Sequence, residues 1–470
     1  MNGMLEVIRR GNPWWLDPSA QLPPPALESY RRQALPAIRS RLLVDGAKGL
    51  LLTGLRRVGK TEISRQIFED LLRDDVWPNS QLAYLKADDG LTRSEVTVAD
   101  LLEAWSPYRN PRQPAIAVID EVHHLGEGQG SDGKPWHRQI KGLIDGGNIR
   151  LLATGSSASV LRDGAAEAPG RWGLMHLEPL SFLEFRELRA AGRGEPTRTA
   201  AALDLDEYLM RGGFPETVFM QGHELAHEAH RVRMRQVLDL EVDGVRNTDK
   251  LEALYRILIE QSGDAIDAQN LNRSLGTTRP TLESWVEEFE RAFLVQRLRA
   301  RATTTLHERR KPAKIYGPDP GIVAAYSRSS DPTRDAELLG RLREVAVLRH
   351  LRELASAARL ELHVLHRPKG AGTAGETDFV LTGGRDAFLI EVASRSDLKG
   401  KRVAQIRNAD DLQSGGRYDD VRALIVHAGA TSRTGPVPSF ALDDFLERIS
   451  YRDGVDPYSQ LRELFAQTKR

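Results

Sequence analysis

Residues 49–61 read Gly-Leu-Leu-Leu-Thr-Gly-Leu-Arg-Arg-Val-Gly-Lys-Thr, and this stretch narrows the possible folds more than any other part of the chain. The run Gly49-Leu-Leu-Leu-Thr53 has the length and apolarity of a buried strand. It turns at Gly54 into G-x-x-x-x-G-K-[ST] and opens into a helix-permitting segment, Glu62–Leu72. Glycines there let backbone N–H groups wrap a phosphate, the lysine reaches the β and γ phosphates, and the threonine hydroxyl ligates Mg²⁺. The positive end of the helix dipole faces the same anion. Gly54, Val58, Gly59, Lys60, Thr61 and Glu62 are therefore the expected nucleotide-binding residues, with Thr61 at the metal.

A second element completes such a site. Ala115-Ile-Ala-Val-Ile119-Asp120-Glu121 is an apolar run ending in two carboxylates. Alone that pattern ends many strands. About 60 residues past a phosphate loop, with one strand between, it reads as a Walker B element. Asp120 is then expected to hold Mg²⁺ and Glu121 to orient the attacking water, which makes ATP and Mg²⁺ the expected cofactors and ATP hydrolysis the reaction. The next strand exit, Leu151-Leu-Ala-Thr154-Gly155-Ser156-Ser157, offers a polar side chain to sense a γ-phosphate; a serine-capped helix start is the bland alternative. Gly170-Arg171 puts an arginine where it could act as a finger, or as an ordinary surface cation.

Apolar runs recur at Leu82–Leu85, Ala115–Ile119, Leu151–Thr154 and Leu174–Leu177 with helix-permitting segments between them. That alternation predicts an α/β fold, a parallel sheet covered by helices. A chain of 470 residues is too long for one core. Residues 1–45 form an N-terminal segment, loop-like and proline-rich up to residue 30 and helical from Tyr30 to Leu43. The ATPase core spans 46–185. After Leu180 the pattern turns helical to about residue 295, and a second mixed region begins near Ala336. It carries a long helix (Glu337–Ala355) and apolar runs at Leu360–Leu365, Asp378–Leu381, Ala387–Val392 and Arg422–His427.

Lys plus Arg and Asp plus Glu both count 66, so net charge is silent about partners. There is no cysteine, which removes disulfides, thiolate catalysis and cysteine zinc sites. Neither a signal peptide nor a membrane span is legible. The expectation is a soluble cytoplasmic protein without membrane contact.

The motifs GLRRVGKT, AVIDEVHHL, LLATGSS, Gly170-Arg171, Leu177-Glu-Pro-Leu-Ser-Phe182 and Gly212-Gly-Phe-Pro-Glu216 together resemble one family. It is that of the AAA+-like P-loop ATPases of bacteria and archaea, related to the STAND and origin-recognition branch, with a C-terminal nuclease-like domain of unknown function. The resemblance runs from about Tyr30 to the last hundred residues. It implies an ASCE sheet of order 5-1-4-3-2, a helical lid (186–250), a winged helix (251–330) and a PD-(D/E)xK-like domain (331–470). By the same resemblance Ser156 is the sensor, with Thr154 competing, and Arg171 is the finger. A homo-oligomer is compatible with it.

His223-Glu-Leu-Ala-His227 matches H-E-x-x-H with His230 one turn on, a zinc-protease geometry. The longer metzincin pattern fails, however, and the segment falls in the expected lid, so a solvent-facing helix is the reading. His123 and His124 read as loop residues. Asp267–Leu275, Gly276-Thr-Thr278 and Arg279–Ala292 outline a helix-turn-helix with Trp285, Phe289 and Phe293 as core. A basic strip follows across residues 291–314: Arg291, Arg297, Arg299, Arg301, Arg309, Arg310, Lys311 and Lys314 against Glu308 alone. It suggests DNA phosphate contact; a structural module or a solvated face is the alternative.

Glu344, Asp378 and Glu391 follow the E…D…E-x-K order of PD-(D/E)xK nucleases, in which two carboxylates hold a metal and a lysine positions water. Ala393 stands where the lysine belongs; Lys399 and Lys401 are the nearest substitutes. The expected site is degenerate and does not cut DNA. The whole reads as a nucleotide-driven motor or switch linked to nucleic acid, in DNA binding, defence or mobile elements. The alternative is a slow-turnover ATP-dependent scaffold that binds protein partners.

Overall fold

The computed structural model describes residues 2–22, 30–44, 48–74, 76–87, 96–125, 136–146, 148–155, 172–193, 201–241, 248–301, 313–329, 331–365, 376–393, 398–433 and 436–465. They fall into two compact units, Met1–Leu177 and Glu178–Arg470. No helix among the described residues is long and apolar enough to cross a membrane.

The first unit is built on five parallel strands: β1 (Gly49–Thr53), β2 (Leu82–Lys86), β3 (Ala115–Asp120), β4 (Ile149–Thr154) and β5 (Trp172–His176). Their order is β2-β3-β4-β1-β5, which read from the other edge is the expected 5-1-4-3-2. The inner strands β1 and β3 are buried throughout, as continuous apolar runs in a parallel sheet should be. At the edge, β5 starts two residues before the apolar run that signalled it, because Trp172 and Gly173 pair with Gly49 and Leu50 although Leu174 is largely exposed.

Residues 1–30 are not simply loop. A helix, Asn2–Arg10, buries Leu5 and Ile8, and a 3₁₀ turn, Pro13–Trp15, follows. Asn12 closes the open edge of β2 as a neighbouring strand would: its Nδ2 donates to Tyr84 O (2.9 Å), and Tyr84 N donates to its Oδ1 (2.7 Å). The indoles of Trp14 and Trp15 both donate to Leu82 O, at 3.0 and 2.7 Å. So short a helix draws its stability from this packing rather than from propensity, and the proline content masked it.

The second unit begins with the helices Phe182–Arg193, Ala201–Arg211, His223–Glu241 and Thr248–Glu260. The expected helix-turn-helix outline then appears as Ala268–Leu275 and Arg279–Arg291. Asp267 caps the first helix, Gly276 turns left-handed (φ 56°) and Thr278 caps the second. Trp285 and Phe289 are core, whereas Phe293 lies past the helix end in left-handed backbone and is only half-buried. An antiparallel pair, β6 (Gln296–Leu298) and β7 (Lys314–Tyr316), and the helix Pro320–Tyr326 complete this region.

The long helix Ala336–Ala358 leads to a mixed sheet of order β12-β11-β10-β9-β8. Here β8 (Glu361–Leu365), β9 (Thr377–Gly383) and β10 (Asp386–Ala393) are antiparallel, while β10, β11 (Asp420–His427) and β12 (Ser439–Ala441) are parallel. The helix Leu398–Ser414 connects β10 to β11. Its Leu398, Ile406 and Leu412 pack on a core that includes Val380, Leu389 and Ile425.

Candidate nucleotide site and a carboxylate cluster

The phosphate loop is held from several sides. A Cβ at Gly54 (φ 150°) would lie 2.5 Å from Leu177 O, so only glycine lets the loop leave β1 this close to the strand-β5 exit. Arg57 (φ 67°) and Gly59 (φ 102°) are left-handed. Lys60 is 3% exposed, and its ammonium donates to Gly54 O (2.8 Å) and Leu55 O (3.0 Å), arching over its own loop. Arg32 Nη1, from the segment ahead of the core, donates to Val58 O at 2.9 Å. Thr61 and Glu62 open the helix Lys60–Arg73. Burial raises the Glu62 carboxyl, Arg65 opposes that shift and Glu69 adds to it.

At the end of β3, Asp120 is fully buried. Thr154, at the end of neighbouring β4, donates its hydroxyl to Asp120 Oδ1 and accepts from Glu121 N (3.0 Å). Glu121 itself is left-handed (φ 53°, ψ 51°), so the chain turns sharply just after the strand and its amide is pinned by Thr154. Asp120 offers a carboxylate at the end of β3 and Thr61 a hydroxyl at the first turn of its helix, both hard oxygens of the kind that Mg²⁺ takes. Thr61 and Asp120 thus fit the implied metal, and the glycine loop with Lys60 fits a triphosphate. Ser156 and Arg171 lie outside the described residues.

One neighbour of Glu121, His123, reads in the sequence only as a loop residue. His123 Nδ1 lies 3.4 Å from Glu121 Oε2, both side chains being mostly buried. Burial pushes this imidazole down to about 3, helped by the charge of His124, Arg56 and Lys60. Its position two residues past the carboxylate pair was the only available signal.

In the second unit, the three carboxylates expected together do meet. Asp378 N donates to Glu391 Oε2 (3.3 Å), Val392 N donates to Asp378 Oδ2 (2.9 Å), and Tyr316 OH donates to Glu344 Oε2 (3.4 Å). Although Ala393 occupies the expected lysine position, a positive charge does stand beside Glu391. The turn of the helix Leu398–Ser414 brings Lys401 back to pair with Glu391 Oε1, while Lys399 is exposed. A second ammonium arrives from β7: Lys314 Nζ is 3.6 Å from Asp378 Oδ1 and 3.5 Å from Glu376 Oε2, at a cavity of about 240 Å³. Burial, then the charge of Asp378, pushes the Glu344 and Glu391 carboxyls up to about 8. Among the described residues no three imidazole or carboxylate groups close up as a metal ion requires.

Among the described residues, most of the basic strip is paired internally. Arg297 pairs with Glu290 (2.9 Å) and Glu283 (3.3 Å), Arg301 with Glu361 (3.3 Å), and Lys314 with the cluster just described. Arg291 pairs on its own helix with Glu288, and Arg299 is exposed. Arg309, Arg310 and Lys311 lie outside the described residues. Counting local acids missed the partners of Arg297, Arg301 and Lys314 because those come from other elements. The H-E-x-x-H helix also departs from its reading, since His227 and His230 are buried rather than solvent-facing. His227 Nε2 lies 2.9 Å from Met210 O and His230 Nε2 2.7 Å from Arg211 O, so the imidazoles meet the last carbonyls of the helix Ala201–Arg211.

Comparison with known proteins agrees with the first unit. Residues 47–186 match the AAA domain family, and residues 202–333 match a domain of unknown function, DUF8612. An uncharacterised protein of Methanocaldococcus jannaschii is 24% identical over 279 residues, covering 53% of this chain and 56% of that protein. The chain thus spans a little over half the length of this relative. Among solved structures, a Walker-type ATPase of Pyrococcus abyssi is similar over 66% of this chain and 99% of its own, with 14% identity and a TM-score of 0.43.

Proposed function

We propose that the AAA domain of this chain binds ATP with Mg²⁺ and hydrolyses it, and that nucleotide state drives the protein as a conformational switch. The observation that carries this reading is the shared location of two half-sites. The Lys60 loop and the Asp120–Glu121 pair both stand at the C-terminal ends of parallel strands, β1 and β3, with only β4 between them, and Thr154 at the end of β4 bonds both Asp120 and Glu121. In this reading Lys60 holds the β and γ phosphates, Thr61 and Asp120 hold the metal, and Glu121 takes the proton of the attacking water. When bound, Mg²⁺ supplies charge neutralisation at the phosphates. Thr154 keeps Asp120 and the Glu121 backbone in place. Ser156 as sensor and Arg171 as finger rest on family resemblance.

Phosphate release with MgATP tests the reading, run with and without duplex DNA at two salt concentrations. We expect steady turnover that DNA leaves unchanged. A wild-type protein that binds MgATP and never turns over overturns the hydrolytic part. The nucleic-acid role rests on the helix-turn-helix and basic strip, and one feature favours protein partners instead. The second helix, Arg279–Arg291, carries Glu283, Glu287, Glu288 and Glu290 against two arginines of its own, and with Arg297 spent on Glu283 and Glu290 it has no surplus positive charge for phosphates. If DNA does bind at low salt, replacing Arg309, Arg310 and Lys311 by alanine should flatten the log–log salt slope by about two to three. That outcome would restore the nucleic-acid role.

For the C-terminal cluster we propose a structural rather than a hydrolytic role. Lys401 on Glu391 and Lys314 on Asp378 neutralise the carboxylates that a metal would need. Plasmid incubated with the protein and Mg²⁺ or Mn²⁺ should stay supercoiled. Nicking that needs the metal and disappears in Asp378→Ala would overturn this, with Lys401 then the water-positioning amine.

A further inference from the structure

The turn after β3 carries a group that neither the phosphate loop nor the metal ligands account for. His123 follows Glu121 by two residues on the short turn Val122–His124, which begins at the left-handed backbone of Glu121. The Nδ1 to Oε2 separation is 3.4 Å, longer than the usual range of about 2.7–3.2 Å for an N–H···O bond, so the two groups stand close without a formed hydrogen bond between them. The ring is set from its other side by His124, centroid to centroid 4.1 Å.

We propose that His123 is a positioning residue for Glu121, donating its Nδ1–H to the carboxylate and holding it in the orientation that accepts a proton from water. The proposal rests on the hydrolytic reading of the nucleotide site. Its chemistry depends on the imidazole being neutral. A neutral ring restrains the carboxylate through one N–H and leaves its charge available. An imidazolium would hold the same carboxylate as an ion pair and lower its basicity. The surroundings enforce the neutral form, because the ring is buried beside His124 and within the field of Arg56 and Lys60, and it is pushed down to about 3. At neutral pH one proton remains on the ring. The tautomer carrying it on Nδ1 is the one that faces Glu121. No proton or bond is transferred by His123 itself; the residue acts through Glu121.

Four variants of the full chain test this: His123→Ala, His123→Asn, His123→Lys and the double substitution Glu121→Gln/His123→Ala. Each is assayed for MgATP affinity and for turnover at saturating ATP. Asparagine places an amide N–H near the position of Nδ1. His123→Ala is expected to lose on the order of 10- to 100-fold in turnover, the cost of a misplaced catalytic group, with affinity within about twofold of wild type. His123→Asn should recover most of that loss. His123→Lys, whose amine when protonated would hold the base as an ion pair, should turn over more slowly than His123→Asn. In the Glu121→Gln background, His123→Ala should add nothing, because residues acting through one group are not additive.

Unchanged turnover in His123→Ala overturns the proposal. So does an asparagine variant as slow as alanine, which would mean that the ring only fills space. A further loss in the double variant means that His123 acts elsewhere. A fall in affinity matching the fall in turnover assigns it to the phosphate loop instead. A wild-type protein that does not hydrolyse ATP removes the functional reading itself, a different result from any of these.

Discussion

Lys60→Ala abolishes MgATP binding, whereas Glu121→Gln leaves binding intact and slows hydrolysis by about 10²–10⁴-fold, the worth of a positioned general base. The two effects separate because the residues meet the nucleotide at different stages. The Lys60 ammonium is buried at the first turn of its helix and already spans the carbonyls of Gly54 and Leu55. Alanine removes both the charge that meets the β and γ phosphates and the strut that shapes the loop, so ground-state binding falls. Glu121 contributes a proton acceptor. Glutamine keeps its size, and the backbone N–H donated to Thr154 is untouched, so the turn after β3 should persist. Only the capacity to accept a proton goes. Equilibrium titration with a fluorescent ATP analogue and Mg²⁺ measures the first quantity, and phosphate release at saturating ATP the second. Equal loss of binding in both variants would sink this division of roles.

Why these residues were legible and others were not follows from how far each depends on distant partners. The phosphate loop declares itself locally, because left-handed backbone at Gly59 and close approach at Gly54 demand glycine, and the lysine and threonine chemistry sits beside them. Sheet strands β1 to β4 were readable as buried apolar runs for the same reason. The order of the three C-terminal carboxylates was readable as well, since each falls on a recognisable element. The charges that answer them were not. Lys401 returns to Glu391 across a helix turn, and Lys314 comes from β7, far off in sequence. Arg297 and Arg301 looked like a DNA-facing strip until Glu290 and Glu361 supplied partners from other elements. Helix Asn2–Arg10 was hidden by the proline-rich stretch that follows it, because it folds by burying Leu5 and Ile8 against elements distant in sequence, such as the helix Val98–Trp105, which no local pattern can announce.

Gly321→Ala unfolds the second unit more readily than any conservative change at its surface, with an expected loss of about 3–5 kcal/mol. The reason is a crossing of backbones around one buried carboxylate. The helix Ala201–Arg211 ends at Gly212, left-handed at φ 74°, where a Cβ would fall 1.8 Å from Asp319 Oδ1. Asp319 in turn accepts from Gly213 N (2.8 Å) and Gly321 N (2.9 Å), so it ties the Gly212-Gly-Phe-Pro turn to the start of the helix Pro320–Tyr326. A Cβ on Gly321 would lie 2.4 Å from the carbonyl carbon and oxygen of Arg211 and from Gly212 N. All three are backbone, so no rotamer change relieves the overlap, and moving the turn breaks the bonds to Asp319. Gly340 is the matched control. It sits within the helix Ala336–Ala358 with nothing within 4 Å of an added Cβ, so Gly340→Ala should be neutral or stabilise by about 0.5–1 kcal/mol. Thermal unfolding checks the pair, because a loss of that size lowers the midpoint by roughly 10 °C in a unit this large. Coinciding midpoints for Gly321→Ala and Gly340→Ala would mean that the two segments do not cross as closely as described.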